Sequence, residues 1–214
     1  WDKVGATVAK DVHAYEAMKI RILNGGHQVI SVAGELLSVD TIAGCMQHDL
    51  IGPLFAKVAR TEIAPLVEAV PGMTPTDYVD LVHSRFSNPK IVDTTRRVAF
   101  DGSARHPGFV IPSIRDGLVQ GTPVEGLALV EAIWARMCQG TREDGTMIEP
   151  NDPSWDMLTA KAEQARHTPS VWLEMRQFYG DLADAPRFAD SFDRYLRLIW
   201  QDGLEAALST YLAS

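Results

Sequence analysis

The sequence predicts an all-α, multi-helix, bundle-like domain. Apolar residues recur at helical spacing through most of the chain, and caps and breakers fall between those runs. No stretch sustains the alternation of period two that a half-buried strand needs, and no Asn-Gly hairpin signal occurs. With 214 residues, 46% of them hydrophobic, the chain is long enough to bury one large core, so residues 1–214 are read as one domain.

The elements follow in order. Residues 15–37 form a long periodic run, with Asp11 placed to cap it. Residues 51–70 carry Leu54, Phe55, Val58, Ile63, Leu66 and Val67 on one stripe, interrupted at Pro65 and stopped by Pro71-Gly72. Thr74 or Thr76 caps the next helix, which buries Tyr78, Leu81, Val82 and Phe86 and ends at Asn88-Pro89. The stretch from Ile91 to Phe100 begins the next helix. Residues 123–139 give the clearest core helix of the second half, and two amphipathic pieces follow at 186–201 and 204–212. The acidic segment 141–153 reads as structural: Asp144-Gly145 makes a tight turn and Asp152 caps a helix starting near Pro153.

Composition excludes several classes. A net charge of −8 argues against nucleic acid as a partner, since phosphate binding needs a surplus of Lys and Arg on one face. No apolar run reaches the ~18 residues of a membrane span. Cys45 and Cys138 form no CxxC pair and read as reduced thiols of a cytoplasmic protein. The first residue is Trp1, which leads us to expect a longer polypeptide upstream. There is no GxGxxG, no GxxxxGK[ST], no HExxH and no GxSxG, and the six His residues lack metal-ligand spacing. His48-Asp49 reads as a helix terminus.

The informative stretch is Lys19-x4-Asn24-Gly25-Gly26-His27. On an α-helix Asn24 lies about 140° around from Lys19 and His27 about 80°, so all three fit one wide face over about 12 Å of axis. A potential base, an amide and an imidazole on one face suit a carbonyl or alcohol substrate. Gly25-Gly26 weakens the helix by about 2 kcal/mol against two alanines, a loss often accepted where a backbone must approach a ligand or another helix closely. The same residues also allow a second reading: Lys19 snorkelling to solvent, Asn24 capping a broken helix, His27 a satisfied interior histidine. Residues 101–112, punctuated by Gly102, Pro107, Gly108 and Pro112 and flanked by Arg97, Arg105 and His106, read either as a site loop or as a plain connection.

Lys19-x4-Asn24-x2-His27 resembles the active-site signature of the polyol-specific long-chain dehydrogenase/reductase family. Arg85-Phe-Ser-Asn-Pro89, Asp93-Thr94, Arg97, Asp101-Gly-Ser103, Pro107-Gly-Phe109 and Pro112 resemble its second block, and Val70-Pro-Gly72 and Phe178-Tyr-Gly-Asp-Leu182 are similar to further family segments. The resemblance covers nearly the whole chain. It implies the helical carboxy-terminal substrate domain of a two-domain dehydrogenase, with a Rossmann cofactor domain upstream that this chain lacks. It implies NAD or NADP as cofactor, no metal, and interconversion of a polyol such as D-mannitol with a 2-ketose such as D-fructose. Lys19 is then the general base and Asn24 polarises the substrate oxygen, while His27 and Arg97 hold hydroxyls. Arg105 stands where the family commonly has a lysine, a planar fork in place of a point donor. Two alternatives remain: a hexuronate (fructuronate or tagaturonate) reductase of the same family, and a helical binding domain without activity. A free lysine, with pKa near 10.4, is protonated at pH 7. The family role therefore leads us to expect Lys19 buried among helices, with Arg97, Arg105 and His27 as cationic neighbours.

Overall fold

The computed structural model describes residues 12–214, so the expected Asp11 cap lies outside the described residues. The first rod runs through α1 (His13–Met18), a π turn (Lys19–Asn24) and α2 (Gly25–Leu36), with right-handed helical backbone across both junctions. The sequence pattern predicts one uninterrupted α-helix here, so the π turn is a departure. Thr41 then caps α3 (Ile42–Gln47), accepting the Gly44 N–H at 3.0 Å. α4 (Ile51–Val58) also passes into a π turn (Ala59–Ile63), and a single 3-10 turn (Ala64–Leu66) ends the run at Pro65, where the missing N–H was expected to break it. Thr74 and Asp77 form a reciprocal capping box at the start of α5 (Pro75–Phe86).

Between residues 91 and 112 the expectations need two corrections. Helix α6 (Thr95–Ala99) starts later than the sequence pattern suggests. The Asp93 carbonyl accepts the Ile42 N–H, and Thr94 pairs with Thr41 in an isolated bridge, so the preceding residues cannot be helical. The stretch read as a loop is almost wholly helical: α7 (Gly102–Arg105), a third π turn (His106–Val110) and α8 (Ile111–Gln120). Its prolines fall in the first turns of the last two segments, where no N–H is needed. Within 91–112 the left-handed residue is Asp101, at φ 61°.

The rest comprises α9 (Glu125–Met137), α10 (Trp155–Ala165), α11 (Ser170–Leu173), α12 (Arg176–Tyr179), α13 (Pro186–Asp202) and α14 (Leu204–Ala213). Asp144-Gly145 makes the expected turn, with Thr146 N–H donating to Asp144 Oδ1 at 2.8 Å. Asp152 is not the N-cap of α10. Ser154 holds that position, while the Asp152 carboxylate accepts from the Ser103 N–H and hydroxyl and from the Ser154 N–H. His48 follows the last turn of α3, as expected of a helix terminus. Among the described residues the extended pairings are isolated bridges only.

Helix α9 is the axis of the fold. Every residue from Gly126 to Met137 is buried, and the helix packs against both α2 and α13. Glu131 in its middle is fully buried, and its charge is met by His106 Nδ1 at 2.8 Å and the Tyr179 hydroxyl at 2.7 Å. His106 stacks on Trp134, so the third π turn is anchored directly on the core helix.

The glycine pair has the close-approach role anticipated for it. A Cβ on Gly25 would stand 3.0 Å from the Phe109 carbonyl oxygen of the third π turn, and one on Gly26 would stand 2.6 Å from the fully buried Phe55 ring. Intrinsic propensity favours alanine over glycine in a helix by about 1 kcal/mol. The clash is expected to reverse that sign: Gly26→Ala destabilises by about 2 kcal/mol in chemical denaturation, and a stabilised variant would show that the Phe55 contact is not tight.

Candidate active site

The π turn decides how the first site residues face. The Gly25 N–H bonds back to the Ile20 carbonyl, five residues earlier. The wider turn reduces the angle between residues i and i+5 below the about 140° of an α-helix. Lys19 and Asn24 are therefore brought toward a common face, and His27 follows on the first turn of α2.

Asn24, His27, Arg97 and Arg105 line one open cleft of about 300 Å³, with Leu23, Gln28, Val98 and Phe109 completing its wall. Four of the five expected site residues thus meet, drawn from the first rod, α6 and α7. Lys19 stands outside this cleft and is exposed. The expectation of an ammonium enclosed by this chain's own helices is corrected accordingly: Lys19 opens the π turn on its exposed side, while Ile22 of the same turn is buried.

Burial and the two guanidinium groups act on His27. Its imidazole is half-buried and stacked on Phe86, with ring centroids 4.3 Å apart. Burial, with Arg97 and Arg105 adding to it and Asp93 opposing, lowers its pKa from 6.5 to about 4. His27 is therefore neutral at physiological pH, offering one donor and one acceptor to a hydroxylated ligand. The interior-histidine reading holds only in part, because the same ring lines the cleft.

Each guanidinium is tethered on one side. Arg97 Nε donates to Asp93 Oδ1 at 2.7 Å and its Nη2 to Asp93 Oδ2. Arg105 Nη1 donates to the Val98 carbonyl at 2.7 Å, an acceptor shared with Gln28 Nε2 at 3.4 Å. His106, adjacent to Arg105 in sequence, turns the other way into its pair with Glu131. Sequence reasoning missed Gln28, Phe109 and the side-chain role of Asp93. The i, i+4 spacing of Asp93 and Arg97 was the available signal for the last. A larger groove, of about 510 Å³, lies by the end of α2, where Arg142 and Arg96 flank the buried Glu35. Its strongest cationic contact, Arg142 to Glu35 at 2.6 Å, is internal.

Fold and cleft together define an all-α domain whose polar site is built from an amide, an uncharged imidazole and two guanidinium groups. Residues 11–200 match the model of the mannitol dehydrogenase C-terminal domain, and the chain belongs to that family. It is 48% identical over 213 residues to a mannitol 2-dehydrogenase of Cereibacter sphaeroides and 32% identical over 216 residues to one of Aspergillus clavatus. All of this chain matches the first and 99% the second, yet it spans only 45% and 43% of their lengths. The fold superposes on Pseudomonas fluorescens mannitol 2-dehydrogenase, solved as a ternary complex with NAD and D-mannitol, with a TM-score of 0.94. That match, at 29% identity, covers 100% of this chain and 44% of the other. A D-sorbitol dehydrogenase in substrate-free form gives a TM-score of 0.87 at 25% identity, covering 97% of this chain and 43% of the other.

Proposed function

We propose that this chain is the substrate-binding and catalytic portion of an NAD(P)-dependent polyol 2-dehydrogenase that interconverts a sugar alcohol such as D-mannitol with a 2-ketose such as D-fructose. The observation that carries the reading is the cleft in which Asn24, His27, Arg97 and Arg105 converge, one π turn from Lys19. The names of the relatives, and the NAD and D-mannitol in the Pseudomonas fluorescens complex, support it.

Bound NAD(P)+ supplies the hydride acceptor. Lys19 takes the proton of the alcohol being oxidised, and in the reverse direction its ammonium returns one to the reduced ketone. The Asn24 amide donates to that same oxygen as negative charge develops on it, an arrangement typically worth a few kcal/mol. Neutral His27 and the outward edges of Arg97 and Arg105 hold the hydroxyls further along the chain. Nothing in this sequence of proton transfers calls on a metal ion.

Lys19 needs a drier setting than this chain gives it, and a nucleotide-binding portion of the same polypeptide provides it in this reading. The relatives are long enough to contain one. No helix among the described residues is long and apolar enough to cross a membrane, and both cysteines are buried free thiols. We read the compartment as cytoplasmic.

The test compares reduction of fructose and fructuronate by the full-length protein with NADH and NADPH, with the 214-residue chain alone as control. Preference for fructose by the full-length protein and no turnover by the chain alone are expected. A large preference for fructuronate would reassign the substrate to the hexuronate class, and turnover by the chain alone would remove the need for a second portion.

A further inference from the structure

Asp93 pairs with Arg97 of the cleft without being part of the cleft's lining. Its position is fixed from three directions. The Asp93 carbonyl accepts the Ile42 N–H at 3.0 Å, Thr94 bridges to Thr41, and Thr94 Oγ1 caps α6 by accepting the Arg97 N–H at 3.2 Å. The carboxylate engages Arg97 through both oxygens, the parallel two-point geometry that holds a guanidinium most firmly. Only 16% of the Asp93 side chain is exposed, against 67% for Arg97, so the acid is the anchored partner and the guanidinium the presented one. The same Asp93 shares a small apolar cavity of about 190 Å³ with His27, Phe86 and Ile91.

We infer that Asp93 is a specificity-determining positioning residue: it neutralises Arg97, leaving Arg105 as the one uncompensated charge among the described residues that line the cleft, and so favours an uncharged polyhydroxy substrate over its carboxylate-bearing analogue. The inference rests on the polyol reading above. A carboxylate entering the cleft loses hydration and needs unpaired cations to replace it. Arg97 has its Nε and Nη2 edge occupied by Asp93; the three N–H groups left, two on Nη1 and one on Nη2, still bond a hydroxyl, but a substrate carboxylate there would share a charge that Asp93 already meets. Asp93 itself repels an incoming anion. Arg105, by contrast, is tethered only to a neutral carbonyl.

The experiment measures kcat/KM for fructose and for fructuronate in the full-length protein and its variants. Asp93→Asn is expected to raise the fructuronate-to-fructose ratio by about tenfold, the size of effect expected when a cation facing an anionic group loses its counter-charge. Asp93→Glu, which keeps the charge, is expected to return the ratio toward wild type. A ratio within twofold of wild type in Asp93→Asn, with both substrates weakened alike, would overturn the role and leave Asp93 purely structural. Arg105→Gln keeps the inference exposed if Asp93→Asn does not fold. It is expected to weaken fructuronate more than fructose, and equal losses would overturn the charge assignment. A wild-type protein that reduces neither sugar would instead overturn the polyol reading, and this role with it.

Discussion

Replacing Lys19 by alanine in the full-length protein is expected to lower kcat by about a thousandfold, within the range that a positioned general base contributes. The π turn brings Lys19 and Asn24 closer in angle than an α-helix would, which in the proposed reading lets one oxygen give its proton to the lysine while it accepts the amide's hydrogen bond. The loss should therefore fall on kcat. Binding should change less, because His27, Arg97 and Arg105 line a cleft that Lys19 does not. Stopped-flow or steady-state oxidation of mannitol with saturating cofactor gives the measurement. A variant that keeps its rate within tenfold of wild type would assign the proton transfer to another group.

The largest structural effect is expected at Glu62. Lying in the π turn Ala59–Ile63, it is 1% exposed and sends its carboxylate to the start of α9. Oε1 accepts the Gly126 N–H at 2.7 Å and the Tyr211 hydroxyl at 2.8 Å, while Oε2 accepts the Leu127 N–H at 2.9 Å. Val124, at the N-cap of α9, provides no side-chain cap, so a carboxylate from a distant segment meets the orphan donors and the positive end of the helix dipole. Burial pushes the Glu62 carboxyl upward, and the Leu127, Tyr211 and Gly126 donors pull it back down. Glu62→Ala would strand three donors and leave a void where the second π turn, α9 and α14 meet. The expected destabilisation is about 3 kcal/mol or more, read from the shift of the thermal or urea transition. A loss under about 1 kcal/mol would show that water takes over the cap.

Much of the fold was legible because amphipathic helices write their period into the sequence. The buried face of α13, with Phe188, Phe192, Tyr195, Leu196 and Ile199, follows that period, and Thr74 with Asp77 announced the start of α5. The buried carboxylates Glu62 and Glu131 were not legible, since a glutamate paired across 64 or 25 residues looks in sequence like any surface glutamate. The segment after Asp101 was misread because its prolines signal a loop equally well when they open a helical turn. At the site, the resemblance marked Asn24, His27, Arg97 and Arg105, and the fold brings them together. The exposure of Lys19 was hidden because periodicity says which face a residue shares, not what covers that face.

A π turn amounts to a helix that has taken in one extra amino acid, and such turns contact each other where the first rod meets the segments at 59–63 and 106–110. The five-residue gap between Lys19 and Asn24 depends on that extra residue. Point substitutions leave that register intact, whereas losing a single codon between the two would rewind the rod and swing every upstream side chain by about 100°. Reading-frame-preserving deletions here should be tolerated far less well than changes of residue type.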